Sequence, residues 1–279
     1  MRNTSSKVAG LMLVGWALTT SCSVAIDSDR VQCESDSDCA AYADSVCAES
    51  LCVAAPKWAC LGAPVPPVST GPRHTVPFVV QNIVTQMPIA GVSVRLCRKI
   101  DITCEGPVSE TLVTDSAGQV SFAVDDGFDG YANFEGEGII RGLYFFNPPV
   151  TKDLPSASIA IGSAQVMAIL TNAVGATQEP GRAITLVRVL DCTGAPASGV
   201  VMAAEGADPD AVPFYSEDGL PSGSAETTDS AGYGGLVNAK PGSITFTATV
   251  AGSRRKIGQV TLITRESSIT YGSIVPDGS

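Results

Sequence analysis

Nine cysteines are the residues in this chain whose type and spacing could do chemistry. Cys22 closes a short apolar N-terminal segment, and the rest form an even set, as in a disulfide framework. A zinc site is the weaker interpretation, because the spacings are not paired CxxC motifs and no histidine lies near them. Disulfides form outside the cytoplasm, so the chain is expected there. The eight are Cys33, Cys39, Cys47, Cys52, Cys60, Cys97, Cys104 and Cys192.

Four of these cysteines crowd into a short acidic segment that carries too little apolar surface to fold on a core alone. Four cysteines allow three pairings, and spacing does not choose among them. We expect the interlaced pairing, Cys33 with Cys47 and Cys39 with Cys52. A calcium loop is not expected here, because the acids lack the glycine and the closing glutamate of an EF-hand-like loop.

The remaining four cysteines are expected to form two further bonds. Cys97 and Cys104 flank six residues that can reverse direction and bring the two within disulfide distance. Cys60 and Cys192 are then left, and a free thiol is unusual in an oxidising compartment. Their bond would pin the end of the head, defined as residues 22–62, and the connector that begins there against the second sandwich.

His74 is the single histidine, which restricts catalysis. A Ser-His-Asp triad could use it, but no Gly-x-Ser-x-Gly segment supplies a nucleophile. We therefore expect a surface histidine beside a linker, no enzyme activity, no catalytic residues and no cofactor. Asp125, Asp126 and Asp129 could hold calcium between strands, but a plain acidic hairpin is the favoured interpretation, and no metal site is predicted.

Aromatic side chains cluster between residues 128 and 146. The favoured interpretation is a sandwich core. The alternative is an exposed face that binds a glycan or a protein, because Phe145 and Phe146 are neighbours and cannot both face inward on a regular strand. On that alternative the ligand-binding residues are Tyr131, Tyr144 and Phe145. The partner is an unidentified protein or glycan. A net charge of −11 disfavours nucleic acid and anionic lipid headgroups.

The first residues have the pattern of an export signal. Arg2 and Lys7 precede an apolar run over 8–18 that is too short to span a bilayer. The segment that ends at Cys22 resembles the bacterial lipoprotein lipobox, although its leucine lies one place earlier than in that family. The resemblance implies a signal peptide over 1–21 and a diacylated Cys22. Ordinary cleavage after Ala25 remains the alternative.

The lipobox resemblance also implies a destination. Inner-membrane retention typically needs Asp after the lipidated cysteine, and here Ser23 follows. The protein is therefore expected to be lipid-anchored in the outer membrane, at the cell surface or facing the periplasm, with the membrane as a partner through its lipid.

The rest of the chain has the composition and periodicity of β-structure. Charged residues are 16%, glycine and proline are frequent, and apolar residues alternate with polar ones over 92–96, 120–124 and 243–250. We expect an all-β fold of two tandem antiparallel β-sandwiches after the signal peptide and a disulfide-rich head. The segment 158–176 is expected to form strands joined by turns, with no amphipathic helix after residue 55. The predicted domains are 1–21, 22–62, a proline-rich linker over 63–71, 72–176 and 177–279.

An internal repeat supports two related halves. Pro-x-x-Gly-Val occurs at 88–92 and 196–200, and Thr-Asp-Ser-Ala-Gly occurs at 114–118 and 228–232. The offsets, 108 and 114 residues, correspond to one sandwich-sized domain. With a Pro-Gly turn before a later strand, this pattern resembles the carboxypeptidase regulatory-like domain, a seven-stranded, transthyretin-like sandwich. The zinc carboxypeptidase of that family is absent, because its site needs two histidines.

Two functions follow as expectations. The first is a non-catalytic cell-envelope lipoprotein that acts as a surface interaction or structural module. The alternative is a carbohydrate- or peptide-binding protein that uses the aromatic face of the first sandwich. The fold is compatible with both, since this sandwich hosts many functions.

Overall fold

The structure is a computed structural model, and it describes residues 33–39, 42, 45–48, 50–54, 56–62, 68–253 and 255–277. The predicted signal peptide, Cys22, the alternative cleavage point at Ala25 and much of the proline-rich linker lie outside the described residues. Lipidation and the outer-membrane destination therefore stay predictions.

Strands dominate the described residues, which form seventeen strands and a single α-helix and confirm the all-β fold. The head supplies the hairpin of β1 (Ser45–Ala48) and β2 (Leu51–Ala54), with short 3-10 turns at Asp36–Cys39 and Pro56–Trp58. The first half contains β3 (Arg73–Asn82), β4 (Ser93–Arg98), β5 (Leu112–Val113), β6 (Gln119–Asp125), β7 (Gly130–Glu135), β8 (Arg141–Phe145), β9 (Ala157–Ile161) and α1 (Ala164–Ala173). The second half contains β10 (Ala183–Val189), β11 (Val200–Glu205), β12 (Val212–Glu217), β13 (Leu220–Ser222), β14 (Tyr233–Ala239), β15 (Gly242–Val250), β16 (Lys256–Thr264) and β17 (Ser268–Ile274).

The two halves repeat the same strand pairings. In the first half β3 pairs antiparallel with β6 and parallel with β9, and β7 lies between β4 and β8. In the second half β10 pairs antiparallel with β14 and parallel with β17, and β15 lies between β11 and β16. The repeat found in the sequence is therefore also a repeat of topology.

A nine-stranded sheet joins the halves, in the order β13-β12-β14-β10-β17-β8-β7-β4-β5. The junction is β17, which pairs parallel with β10 on one side and with β8 on the other. Nearly every residue of β17 is buried, as expected for a strand covered on both faces. The boundary predicted between residues 176 and 177 remains a prediction, and it falls between α1 and β10.

Two three-stranded sheets, β6-β3-β9 and β11-β15-β16, pack on this long sheet. Strand β7 shows that they cover opposite faces. Ala132 and Phe134 join the core beneath β3 and β6, whereas Tyr131 joins the core beneath β15 and β16. Successive side chains of a strand point to opposite faces, so the shared sheet is buried on one side in each half and on both sides near the junction.

Helix α1 corrects the expectation of strands joined by turns over 158–176. Strand β9 is present, but it ends at Ile161, and the following alanines, Met167 and Leu170 are strong helix formers. Met167 and Thr171, four residues apart, are the buried positions of the helix. Gly175, with φ of 80°, ends it. A helix of ten residues with two buried positions shows little periodicity in the sequence.

No helix among the described residues has the length and apolar character needed to cross a membrane.

Candidate functional site

Disulfide bonds are confirmed, and their pairs coincide with the expected ones. The eight cysteines form Cys33–Cys47, Cys39–Cys52, Cys60–Cys192 and Cys97–Cys104, with Cα separations of 5.7, 5.5, 5.6 and 5.4 Å. The sulfurs of Cys33, Cys39 and Cys52 lie within 4.8 Å of one another. Because each is bonded to another sulfur, none is a thiolate that could bind a metal.

The bond between Cys60 and Cys192 fixes the C-terminal end of the head to the second half. Trp58 is fully buried in the core beneath β15 and β16, and its carbonyl accepts a hydrogen bond from Arg255 at 3.2 Å. The amide of Cys192 donates to the carbonyl of Lys57 at 2.9 Å. A disulfide, a buried indole ring and hydrogen bonds to two backbone carbonyls therefore hold this segment in place.

His74 is buried, so the surface position expected for it is wrong. It points inward from β3, and its Nε2 lies 2.8 Å from Oδ1 of Asp126. The hydrogen bond from His74 is the main cause that holds the pKa of Asp126 below its ordinary value. The hydroxyl of Ser69 donates to the carbonyl of Gly71 at 3.1 Å, and no hydroxyl contacts the imidazole among the described residues, so His74 is not placed to activate a nucleophile.

The acidic hairpin around Gly127 has cationic or imidazole partners for each of its acids. Asp125 lies 3.6 Å from Arg73, Asp126 contacts His74, and Asp129 lies 3.5 Å from Lys99. The three carboxylates point to different partners and do not converge on one centre, as calcium ligands would.

The aromatic cluster is core, and the exposed binding face is not formed. Tyr131 and Phe145 are each 1% exposed and stack at 4.8 Å, and Tyr144 is half-buried with a pKa raised by burial. Phe145 lies in one core and Phe146 in the other. The two neighbours can both be buried because the sheet near the junction is covered on both faces.

The threonine of each repeated Thr-Asp-Ser-Ala-Gly motif connects two turns through side-chain hydrogen bonds. The hydroxyl of Thr114 donates to the carbonyl of Ile89 and accepts from the amide of Val92 at 3.0 Å. Thr228 does the same with Ala197 and Val200, the latter at 3.1 Å. Each threonine therefore ties the turn before β4 or β11 to the turn before β6 or β14.

A cavity in the second half is the feature that sequence reasoning missed. It has a volume of about 310 Å³ and lies between β11 and the strands β12 and β14. Its walls are mostly apolar, and they include Met202, Ala204, Ala211, Phe214, Leu236 and Phe246. The available signal was the offset of the repeat, which grows from 108 to 114 residues across this segment.

No protein-family model matches the chain, and no curated protein matches it. Similar solved structures include the Bacillus anthracis TIE protein, with 9% identity over 74% of this chain and 34% of that chain, at a TM-score of 0.26. The streptococcal ancillary pilin is 12% identical over 75% and 64% of the two chains, at a TM-score of 0.25. BcpA, the major pilin subunit of Bacillus cereus, is 11% identical over 71% and 69%, at a TM-score of 0.26. The chain thus spans about a third of the first of these proteins and about two thirds of the other two.

Proposed function

We propose that this chain is a non-catalytic lipoprotein of the bacterial envelope. Acylated Cys22 holds it to the outer membrane, and the chain acts as a surface interaction or structural module. The observation that carries the proposal is that all eight cysteines among the described residues are joined in disulfides. Such complete oxidation fits an extracytoplasmic protein.

The placement of the titratable groups supports a non-catalytic role. His74 is buried against Asp126, and no hydroxyl or thiol nucleophile approaches its ring among the described contacts. Asp208, the acid beside the cavity, is held by Arg182 at 2.9 Å. A general acid or base needs a free proton-transfer position near substrate, and neither group offers one.

The architecture supports a rigid module. Backbone hydrogen bonds of the shared nine-stranded sheet join the two halves. The Cys60–Cys192 bond links two residues that are 132 positions apart in the sequence. We propose that each half is a carboxypeptidase regulatory-like domain. In its support, the Pro-x-x-Gly-Val motifs lead into β4 and β11, and the Thr-Asp-Ser-Ala-Gly motifs lead into β6 and β14.

Mass spectrometry of the detergent-extracted protein tests the anchor. We expect an N-terminal acylated Cys22, and we expect Cys22→Ala to abolish acylation while Ser23→Ala, the matched control, leaves it intact. Membrane fractionation of the same cells should place the wild-type chain with the outer membrane. A mature form that begins at Ile26 would show that the lipid anchor does not exist.

A further inference from the structure

Strand β4 of the first half has a neighbour on each side. Strand β7 lies on one side, and β5 lies on the other, where Leu112 is the partner of Val94. On the same side, the backbone groups of Leu96 also have partners. Its amide donates to the hydroxyl of Ser109 at 2.9 Å, and its carbonyl accepts from the amide of Val108 at 2.8 Å. The segment 108–113 therefore satisfies the outer edge of β4.

Strand β11 is the counterpart of β4, but its outer edge has no such strand among the described residues. Counting from the Gly-Val of each repeat, Met202 takes the place of Val94 and Ala204 the place of Leu96. The hydroxyl of Tyr215 occupies this edge at Met202, where it accepts from the amide at 2.8 Å and donates to the carbonyl at 3.4 Å. The outward amide and carbonyl of Ala204 have no partner within the described part of the chain.

Burial shows the same difference. Val94 and Leu96 are 0% and 1% exposed, whereas Met202 and Ala204 are only half-buried. The cavity of about 310 Å³ lies against these two side chains. Its size is at the lower end of the range for ligand pockets, on the order of 300–1,000 Å³.

The edge lacks a neighbouring strand because the chain leaves it. At Gly206 the backbone adopts φ of 85°, and the segment crosses to form β12, which pairs with β14 in the other sheet. Asp208 fixes this path, because its carboxylate accepts from Arg182 at 2.9 Å and from the amide of Lys240 at 3.1 Å. These two hydrogen bonds to Asp208 hold the segment after Gly206 away from the outer edge of β11.

We propose that this cleft binds an extended peptide segment of a partner protein. The peptide pairs with Ala204 and replaces the Tyr215 hydroxyl at Met202 along the outer edge of β11, and it places an apolar side chain in the cavity. The proposal rests on the interaction-module function and names its site and ligand class. Segment 108–113 is the template, since half-buried Leu112 packs against the first core in the corresponding position. Strand addition of this kind takes affinity from main-chain hydrogen bonds and specificity from the pocket.

Charge complementarity defines the ligand further. Glu205 is exposed at the end of β11. Around the cavity, Arg182 pairs with Glu179, Asp208 and Asp210, and Lys240 lies 3.8 Å from Asp208, so the carboxylates outnumber the cations. The chain as a whole carries −11. A basic residue beside the apolar anchor therefore strengthens binding, more so at low salt.

Three synthetic peptides probe the cleft on the purified full-length chain. The first has the sequence of residues 107–114, the second has Lys in place of Glu110, and the third also has Asp in place of Leu112. We expect amide NMR shifts at residues 202–205 with the first peptide, several-fold tighter binding with the second, and at least tenfold weaker binding with the third.

Two protein variants locate the site. Ala204→Leu fills the cavity and should weaken binding of the second peptide at least tenfold, whereas Val201→Thr, on the exposed face of β11, should leave it unchanged. Equal binding of the second and third peptides, which needs no variant to fold, overturns the proposal. So does sedimentation that shows a dimer with shifts at residues 202–205, since the occupant is then a second copy. Either failure leaves the lipid-anchor test intact.

Discussion

At the scale of single residues, Arg182 forms ion pairs with three carboxylates near the cavity. Its guanidinium lies 2.9 Å from Asp208, 3.1 Å from Glu179 and 3.2 Å from Asp210. Burial alone would raise the pKa of Asp208. The hydrogen bonds from Arg182 and from the amide of Lys240 outweigh burial, so the pKa of this carboxyl lies below its ordinary value.

The Asp208→Asn variant should be less stable than wild type by about 1 kcal/mol at pH 7, because it loses a charged acceptor of three hydrogen bonds, from Arg182 and from the amides of Asp210 and Lys240. A depressed folded-state pKa means that the contribution is complete above the unfolded value, about 3.9, and is lost as pH falls through the folded value. Urea unfolding between pH 7 and pH 2.5 measures it. The two curves should converge at the acid end, and a constant difference would mean that the carboxylate charge is irrelevant.

The sequence predicted some residue roles and missed others for identifiable reasons. The formation of disulfides followed from the even number of cysteines, whereas the interlaced pairing in the head was an expectation that spacing did not decide. The burial of Phe145 beside Phe146 did not follow, because alternation was judged against a sheet with one buried face. His74 was missed similarly: it lies near the start of β3, and its burial depends on Asp126, 52 residues away.

At the scale of elements, α1 offers a matched pair of substitutions. Met167 is 4% exposed in the first core, and Ile169, two residues on, is 63% exposed. Met167→Ala should lower the free energy of unfolding by about 2–4 kcal/mol through lost burial and a new cavity. Ile169→Ala should change it by less than about 0.5 kcal/mol. Chemical denaturation compares them, and equal effects would mean that α1 does not pack against the core through Met167.

The elements that the sequence predicted are those with local patterns. The period-two alternation of β6 and β15 was visible, and so were the turn motifs before β4, β11, β6 and β14. The position of β17 was not visible, because its pairing with β8 joins residues more than a hundred positions apart. The absence of a neighbouring strand at the outer edge of β11, among the described residues, was also hidden, since it depends on which sheet the segment after Gly206 joins.

At the scale of the whole molecule, the disulfides should differ in what they contribute. Replacing both Cys60 and Cys192 with Ser should cost about 5 kcal/mol in the chain-entropy model, because the bond closes a loop with a sequence separation of 132. Replacing Cys97 and Cys104 should cost about 2.5 kcal/mol, because their separation is 7. Thermal unfolding of both variants is the measurement. A larger loss for the shorter loop would show that chain entropy does not set the order.

The Cys60–Cys192 bond also decides how mechanical tension would travel through the protein. A pull between the head and the second half passes from residue 60 to residue 192 through one sulfur–sulfur bond. Residues 61–191, which include the entire first half, lie in a covalently closed loop beside that path. The first half is therefore shielded from stretching by such a pull, and an oxidised chain would lengthen less under load than a reduced one.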